Sequence, residues 1–184
     1  LGLLLYETNG KDTLAAKTLY RVVAILVNVF RSIPFIILIV LLLPVTKTLV
    51  GSITGPTAAL PALIIASSPF FARLVEIGFR EIDKGVVEAA EAMGANKWQI
   101  IYKVLIPESL PAIVSGITVT TISLVGYTAM AGVIGAGGLG NLAYLDGFQR
   151  NQPAVTLVAT LIILVIVFII QAIGDVIVKK VDKR

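Results

Sequence analysis

Gly135-Ala-Gly137-Gly138-Leu-Gly140 fits G-x-G-x-x-G, the spacing with which a backbone turn holds a dinucleotide pyrophosphate against a helix N-terminus. That chemistry needs a strand before the glycines and an acidic residue about 20 positions on. Here a long apolar run precedes the motif, and position 160 is Thr with no acid beside it. The segment reads instead as a turn where a membrane span ends, with Gly132, Ala136 and Gly140 small enough for close backbone packing. Other chemistry is excluded by composition. The chain has no Cys, so disulfides, thiolate metal sites and Cys nucleophiles are absent. It has no His, the commonest general base and metal ligand. No G-x-x-x-x-G-K-[ST] loop is present, so the chain does not bind ATP in the usual way. It offers no catalytic residues and no metal-ligand set, and is expected not to be an enzyme.

Two residues inside apolar runs invite a functional reading. Arg31 is the only basic residue well inside such a run, where a charge faces a bundle interior or water. It lies beside a translocation path, or it caps helix carbonyls and serves structure alone. Met130 sits in Gly126-Tyr-Thr-Ala-Met130-Ala-Gly, a large flexible side chain among small ones. It either fills a gap or, paired across a symmetry axis, forms one half of an apolar gate.

The elements that must position these residues are membrane helices. Of 184 residues, 57% are hydrophobic, against about 45–50% in ordinary soluble domains. The mean hydropathy is +0.97. The net charge of +4 would suggest nucleic acid in a soluble protein; here it is read as Lys and Arg kept on one membrane face. A single all-α, polytopic membrane domain over residues 1–184 is expected. LGLLLY at residues 1–6 is too short to span and carries no signal-peptide pattern, so it reads as the end of a first span whose beginning lies outside this sequence. Glu7 to Arg21 is polar, with an Asn9-Gly10 turn signal and Asp12 or Thr13 as a helix cap. Complete spans are expected at about 22–45, 53–72, 110–134 and 153–174. The second is broken by Pro56, Pro61 and Pro69, which neighbouring helices can accommodate. A charged loop fills 73–108, a Gly-rich polar loop 135–152, and a basic tail follows the last span.

Placing 7–21, 73–108 and the tail in the cytoplasm gathers twelve basic residues there: Lys11, Lys17, Arg21, Arg73, Arg80, Lys84, Lys97, Lys103 and the tail's Lys179, Lys180, Lys183 and Arg184. The opposite side keeps only Lys47 and Arg150, so the positive-inside rule fixes the orientation. Glu76 and Asp175 are the acids nearest the spans and sit at span ends, so no intramembrane acid relay is expected. Pumping would then draw energy from elsewhere.

The charged loop carries the most informative stretch, EAAEAMGANKWQIIYKVLIPESLP at 88–111. Glu88 to Met93 is rich in helix formers, with acids expected in its first turn, where the macrodipole favours them. Gly94 ends that helix, and Asn96 caps a second in which Trp98, Ile101, Tyr102 and Leu105 recur at helical spacing. Pro107 and Pro111 bracket Glu108, where the chain is expected to turn back into apolar sequence.

This stretch resembles the cytoplasmic loop of bacterial ABC importer permeases, EAA, three residues, Gly, nine residues, Ile-x-Leu-Pro. Glu88-Ala89-Ala90, Gly94 and Pro107 stand in register, with Val104 for Ile and Ile106 for Leu. Leu19-Tyr-Arg, Asn28-Val-Phe-Arg-Ser-Ile-Pro34 and Leu124-Val-Gly-Tyr127 through Gly140 extend the likeness over nearly the whole chain, to the permeases of methionine ABC importers. The resemblance implies a type I importer fold of five spans, the first truncated here, working as a homodimer in the bacterial inner membrane. It implies two cytoplasmic ATPase subunits, which bind ATP and Mg, gripping Glu88, Ala89, Ala90, Glu91, Ala92, Met93, Gly94 and Lys97. An extracytoplasmic methionine-binding protein would deliver the ligand. Related permeases carry other amino acids or quaternary amines, and a passive channel or scaffold is the reading from another class.

Overall fold

The computed structural model describes residues 1–9 and 13–182. Gly10 of the expected turn, Lys11, the cap candidate Asp12, and Lys183 and Arg184 of the tail lie outside the described residues. Every regular element among the described residues is helical.

The chain opens with α1 (Gly2–Asn9), followed by α2 (Leu14–Ser32), whose N-cap Thr13 makes no side-chain cap bond. The span expected at 22–45 is not one rod. It breaks at Ile33–Pro34, and α3 (Phe35–Leu41) leaves α2 at 104°. Proline excludes the helical conformation from the residue before it, and Ile33 is extended, with ψ of 122°. A further short helix, α4 (Leu43–Val50), ends on Gly51 in the left-handed conformation.

The next helix, α5 (Pro56–Arg80), runs well beyond the expected end at Ala72. Its length of about 37 Å is ample for a hydrocarbon core of about 30 Å. The charges that suggested a loop after Ala72 are accommodated on one helix face. Glu76 is fully buried, accepts a hydrogen bond from Arg73 at 2.7 Å and stands 3.7 Å from Arg80. These are the i,i+3 and i,i+4 spacings that bring helix side chains together. Glu76 therefore lies near the C-terminal end of α5, as expected, but as a fully buried and paired acid.

The chain then forms α6 (Lys84–Ala92) and α7 (Lys97–Ile100). No turn follows at Pro107. From α7 a π-helical turn (Ile101–Leu105) leads directly into α8 (Ile106–Met130), and a 3-10 turn (Ala131–Ile134) completes one 38-residue helical run from Lys97 to Ile134. Pro107 is tolerated because the π-helical turn just before it already interrupts the regular i→i−4 hydrogen-bond ladder. Ser and Thr hydroxyls along α8 donate back to main-chain carbonyls, as from Ser109 to Leu105 and Thr120 to Gly116, so they cross the apolar layer satisfied.

The Gly-rich segment is more ordered than expected. It contains α9 (Gly138–Asn141) and a π-helical stretch (Leu142–Gln149), and Thr156 Oγ1 donates to Ala143 O at 3.1 Å. The close-approach reading of its glycines holds: a Cβ on Gly132 would meet Asn141 Oδ1 at 2.8 Å, and one on Gly140 would run into Ala129. The last helix, α10 (Pro153–Val181), passes the expected limit of 174.

Helix α8 is the centre of the bundle, flanked by α5 and α10, while α1 and α2 cover the other side of α5. One buried cluster joins Phe35, Leu38 and Ile39 of α3 to the alanines of α5 and to Ala131 and Ile134. Most of α10 presents exposed Leu, Ile, Val and Phe, the surface a bilayer solvates. Its contact with α8 depends on Gly174, where a Cβ would run into Thr118. Gly174→Leu is expected to destabilise the bundle by about 1–3 kcal/mol through overpacking. Thermal denaturation of the purified protein in detergent checks this, and an unchanged midpoint would contradict the packing described.

Candidate functional site: a capped helix pair and the break beside Arg31

The stretch 83–105 builds a rigid projection from local rules. Asp83 caps α6 by accepting a hydrogen bond from the Gly85 amide at 2.8 Å. Gly94 has φ of +80°, a region glycine enters without the Cβ penalty. Its amide donates to Glu91 O at 2.9 Å and the Ala95 amide to Ala90 O at 3.1 Å, the paired bonds of a Schellman cap. Asn96 and Gln99 then exchange side-chain and main-chain hydrogen bonds of 2.9 and 2.8 Å, a complete capping box for α7. The expected helix–Gly–helix is present.

Its two faces differ. Ala90, Ile100, Ile101 and Leu105 are buried together against Phe79 and Ile82 near the end of α5. Glu88, Ala89, Glu91, Ala92, Met93, Gly94 and Lys97 are exposed. Ala90 is thus turned into the protomer's own core, where it seats the helix. Of the four residues at helical spacing, Ile101 and Leu105 face inward, while Trp98 and Tyr102 stack on each other outside with ring centroids 6.3 Å apart. A cleft of about 680 Å³ separates this projection from α1, lined by Tyr6, Phe79, Arg80, Lys84, Glu91 and Lys97.

Arg31 lies on the last turn of α2, immediately before the break. Its guanidinium carbon is 5.8 Å from the centroid of the Phe70 ring, within cation–π range. Phe35 and Tyr127 stack beside it at 4.8 Å. Met130 lies one helical turn beyond Tyr127, half exposed at the end of α8. Among the described residues, no cluster of acids is placed to hold a metal ion. Glu76 was not foreseen as a structural residue, although its spacing from Arg73 and Arg80 is a readable signal.

Residues 8–183 match the family of binding-protein-dependent transport system inner membrane components. The chain belongs to this family. It is 63% identical over 181 residues to the methionine import system permease protein MetP of Bacillus subtilis, covering 98% of this chain and 82% of that protein. It is 48% identical over 184 residues to a probable D-methionine transport system permease protein, MetI, of Haemophilus influenzae, covering all of this chain and 86% of that one. Among solved structures, a chain of the inward-facing MetNI methionine ABC transporter superposes with a TM-score of 0.94 at 45% identity, over 99% of this chain and 84% of that chain. The capped helix pair is therefore a feature of a multi-pass inner-membrane transport component.

Proposed function

We propose that this chain is the membrane-spanning permease subunit of an ATP-driven methionine importer, and that the exposed face of α6 and the Gly94 turn receives the ATPase. The observation that carries the reading is a doubly capped helix pair whose inner face is seated on the bundle and whose outer face, Glu88, Ala89, Glu91, Ala92, Met93, Gly94 and Lys97, is uncovered. Caps at both ends make the pair stiff enough to carry a push into α5 and α8. Support for methionine comes from the relatives, whose names specify it over nearly the full length of this chain.

In this reading two ATPase subunits hold ATP and Mg and grip one projection on each of two permease copies. An extracytoplasmic methionine-binding protein delivers the ligand on the far side. The excess of Lys and Arg on the α6 side supports a cytoplasmic position for that projection and the C-terminus. Ala89→Arg with Ala92→Arg should leave the bundle intact, since both positions are exposed, and reduce ATPase recovery in a pull-down at least about tenfold, a loss of about 1.4 kcal/mol. Undiminished recovery would remove this face from the interface.

Met130, half exposed among small residues at the end of α8 away from α6, is assigned one half of the outer gate. Met130→Ala is expected to widen the constriction, so that ATP turnover in proteoliposomes continues while methionine delivered per ATP falls. An unchanged ratio, or two Met130 side chains far from the axis in an inward-open dimer, would contradict the gate.

A further inference from the structure

The break between α2 and α3 leaves a charge unaccounted for. Arg31 presents up to five N–H donors, yet among the described residues it has no hydrogen-bond or ion-pair partner, and its guanidinium stands over the Phe70 ring. No carbonyl is capped by it, which sets aside a purely structural role as a capping residue. The buried acid Glu76 is engaged by Arg73 and Arg80. Phe70 lies near the middle of the 25-residue α5, and Arg31 is itself exposed within an apolar run, where charges are retained when something pairs with them.

Beside Arg31 is a cavity of about 180 Å³, lined by Phe30, Arg31, Phe35, Ala66, Phe70 and Tyr127. That volume equals about six water molecules, room for one small amino acid. Ala66 is buried, and its short side chain leaves the space open. Phe35 and Tyr127, nearly parallel at 12°, supply aromatic surface from two further elements. The lining combines one cation, no acid and several aromatic rings. This is complementary to an anionic head carrying an apolar, polarizable tail.

We propose that this cavity is a transit-binding site for a zwitterionic α-amino acid with an apolar side chain. Arg31 takes the α-carboxylate, with the fork geometry that suits guanidinium–carboxylate pairs. Phe35 and Tyr127 receive the tail; sulfur against aromatic rings is favourable, so a thioether is well suited. The proposal rests on the reading that the chain passes an amino acid, and its test is separable from that reading.

The experiment uses the permease assembled with its ATPase in lipid nanodiscs, without binding protein, and records saturation-transfer NMR of L-methionine and L-methioninamide. Wild type is expected to bind methionine with the S-methyl group most strongly saturated, and methioninamide about tenfold more weakly or worse. Arg31→Gln should bring methionine down to the level of the amide while ATPase recovery is unchanged. Ala66→Phe, which fills the cavity, should abolish both signals. The wild-type comparison stands even where a variant fails to assemble. Equal binding of methionine and its amide by wild type, or a methionine signal indifferent to Arg31→Gln, would overturn the site. If ATP-driven methionine uptake persists with either result, only the site is lost; loss of that uptake removes the transport reading itself.

Discussion

Replacing Ala90 with aspartate is expected to separate the permease from its ATPase without unfolding the membrane helices. Ala90 is 5% exposed and lies among Phe79, Ile82, Ile100, Ile101 and Leu105, with no basic residue in that cluster. A carboxylate there has no partner, and burying it costs several kcal/mol. The cheaper outcome is for α6 to lift off, since its seat is a small satellite of the main bundle. A loss of about 4 kcal/mol of preorganisation weakens association about a thousandfold. Gly94→Asp should act in the same direction but less strongly. A Cβ at Gly94 meets no atom within 4 Å, so the cost is the left-handed backbone alone, about 1–2 kcal/mol. ATPase recovery in a pull-down should therefore rank wild type above Gly94→Asp above Ala90→Asp, at equal membrane abundance. Recovery of wild-type amounts by Ala90→Asp would show that the seat of α6 does not matter for docking.

The second large effect is expected at Glu76. Its carboxylate is fully buried, and Arg73 binds one oxygen at 2.7 Å while the other has no hydrogen-bond partner. Glu76→Ala strands Arg73 and opens a cavity between α5 and its neighbours. Breaking a buried pair costs about 3–5 kcal/mol, and the partial exposure of Arg73 places this case at the lower end. The expected result is a sharp fall in thermal stability in detergent and in membrane abundance. Glu76→Gln keeps an oxygen for Arg73 and should fall between the two. An alanine variant as stable as wild type would show that the ion pair is incidental.

Local rules make the helix–Gly–helix segment legible in the sequence. Gly94 as a helix stop and Asn96 as a cap are short-range features, and both have the predicted chemistry. Helices cover the expected apolar stretches, but their ends do not follow the charge pattern. Arg73, Glu76 and Arg80 look like loop residues until their spacing folds them onto one helix face, and Pro107 looks like a turn until the π-helical turn before it carries the helix through. Pro34 was seen as an interruption, but a 104° bend depends on where α3 finds its apolar partners on α5. Which side of α6 faces inward could not be read from Glu88-Ala89-Ala90 alone, because two adjacent alanines are chemically alike and the packing of Phe79 and Leu105 decides between them. The surroundings of Arg31 come from α2, α3, α5 and α8 together, a convergence that no sequence spacing encodes.

The central claim is tested most directly by solute accumulation in sealed proteoliposomes containing this chain, its ATP-binding-cassette subunit and the binding protein. The account predicts that labelled methionine accumulates above its external concentration only when ATP and all three components are present, and that Ala90→Asp abolishes it. Equilibration of methionine without ATP, or ATP-driven accumulation of a different solute with methionine excluded, would contradict it.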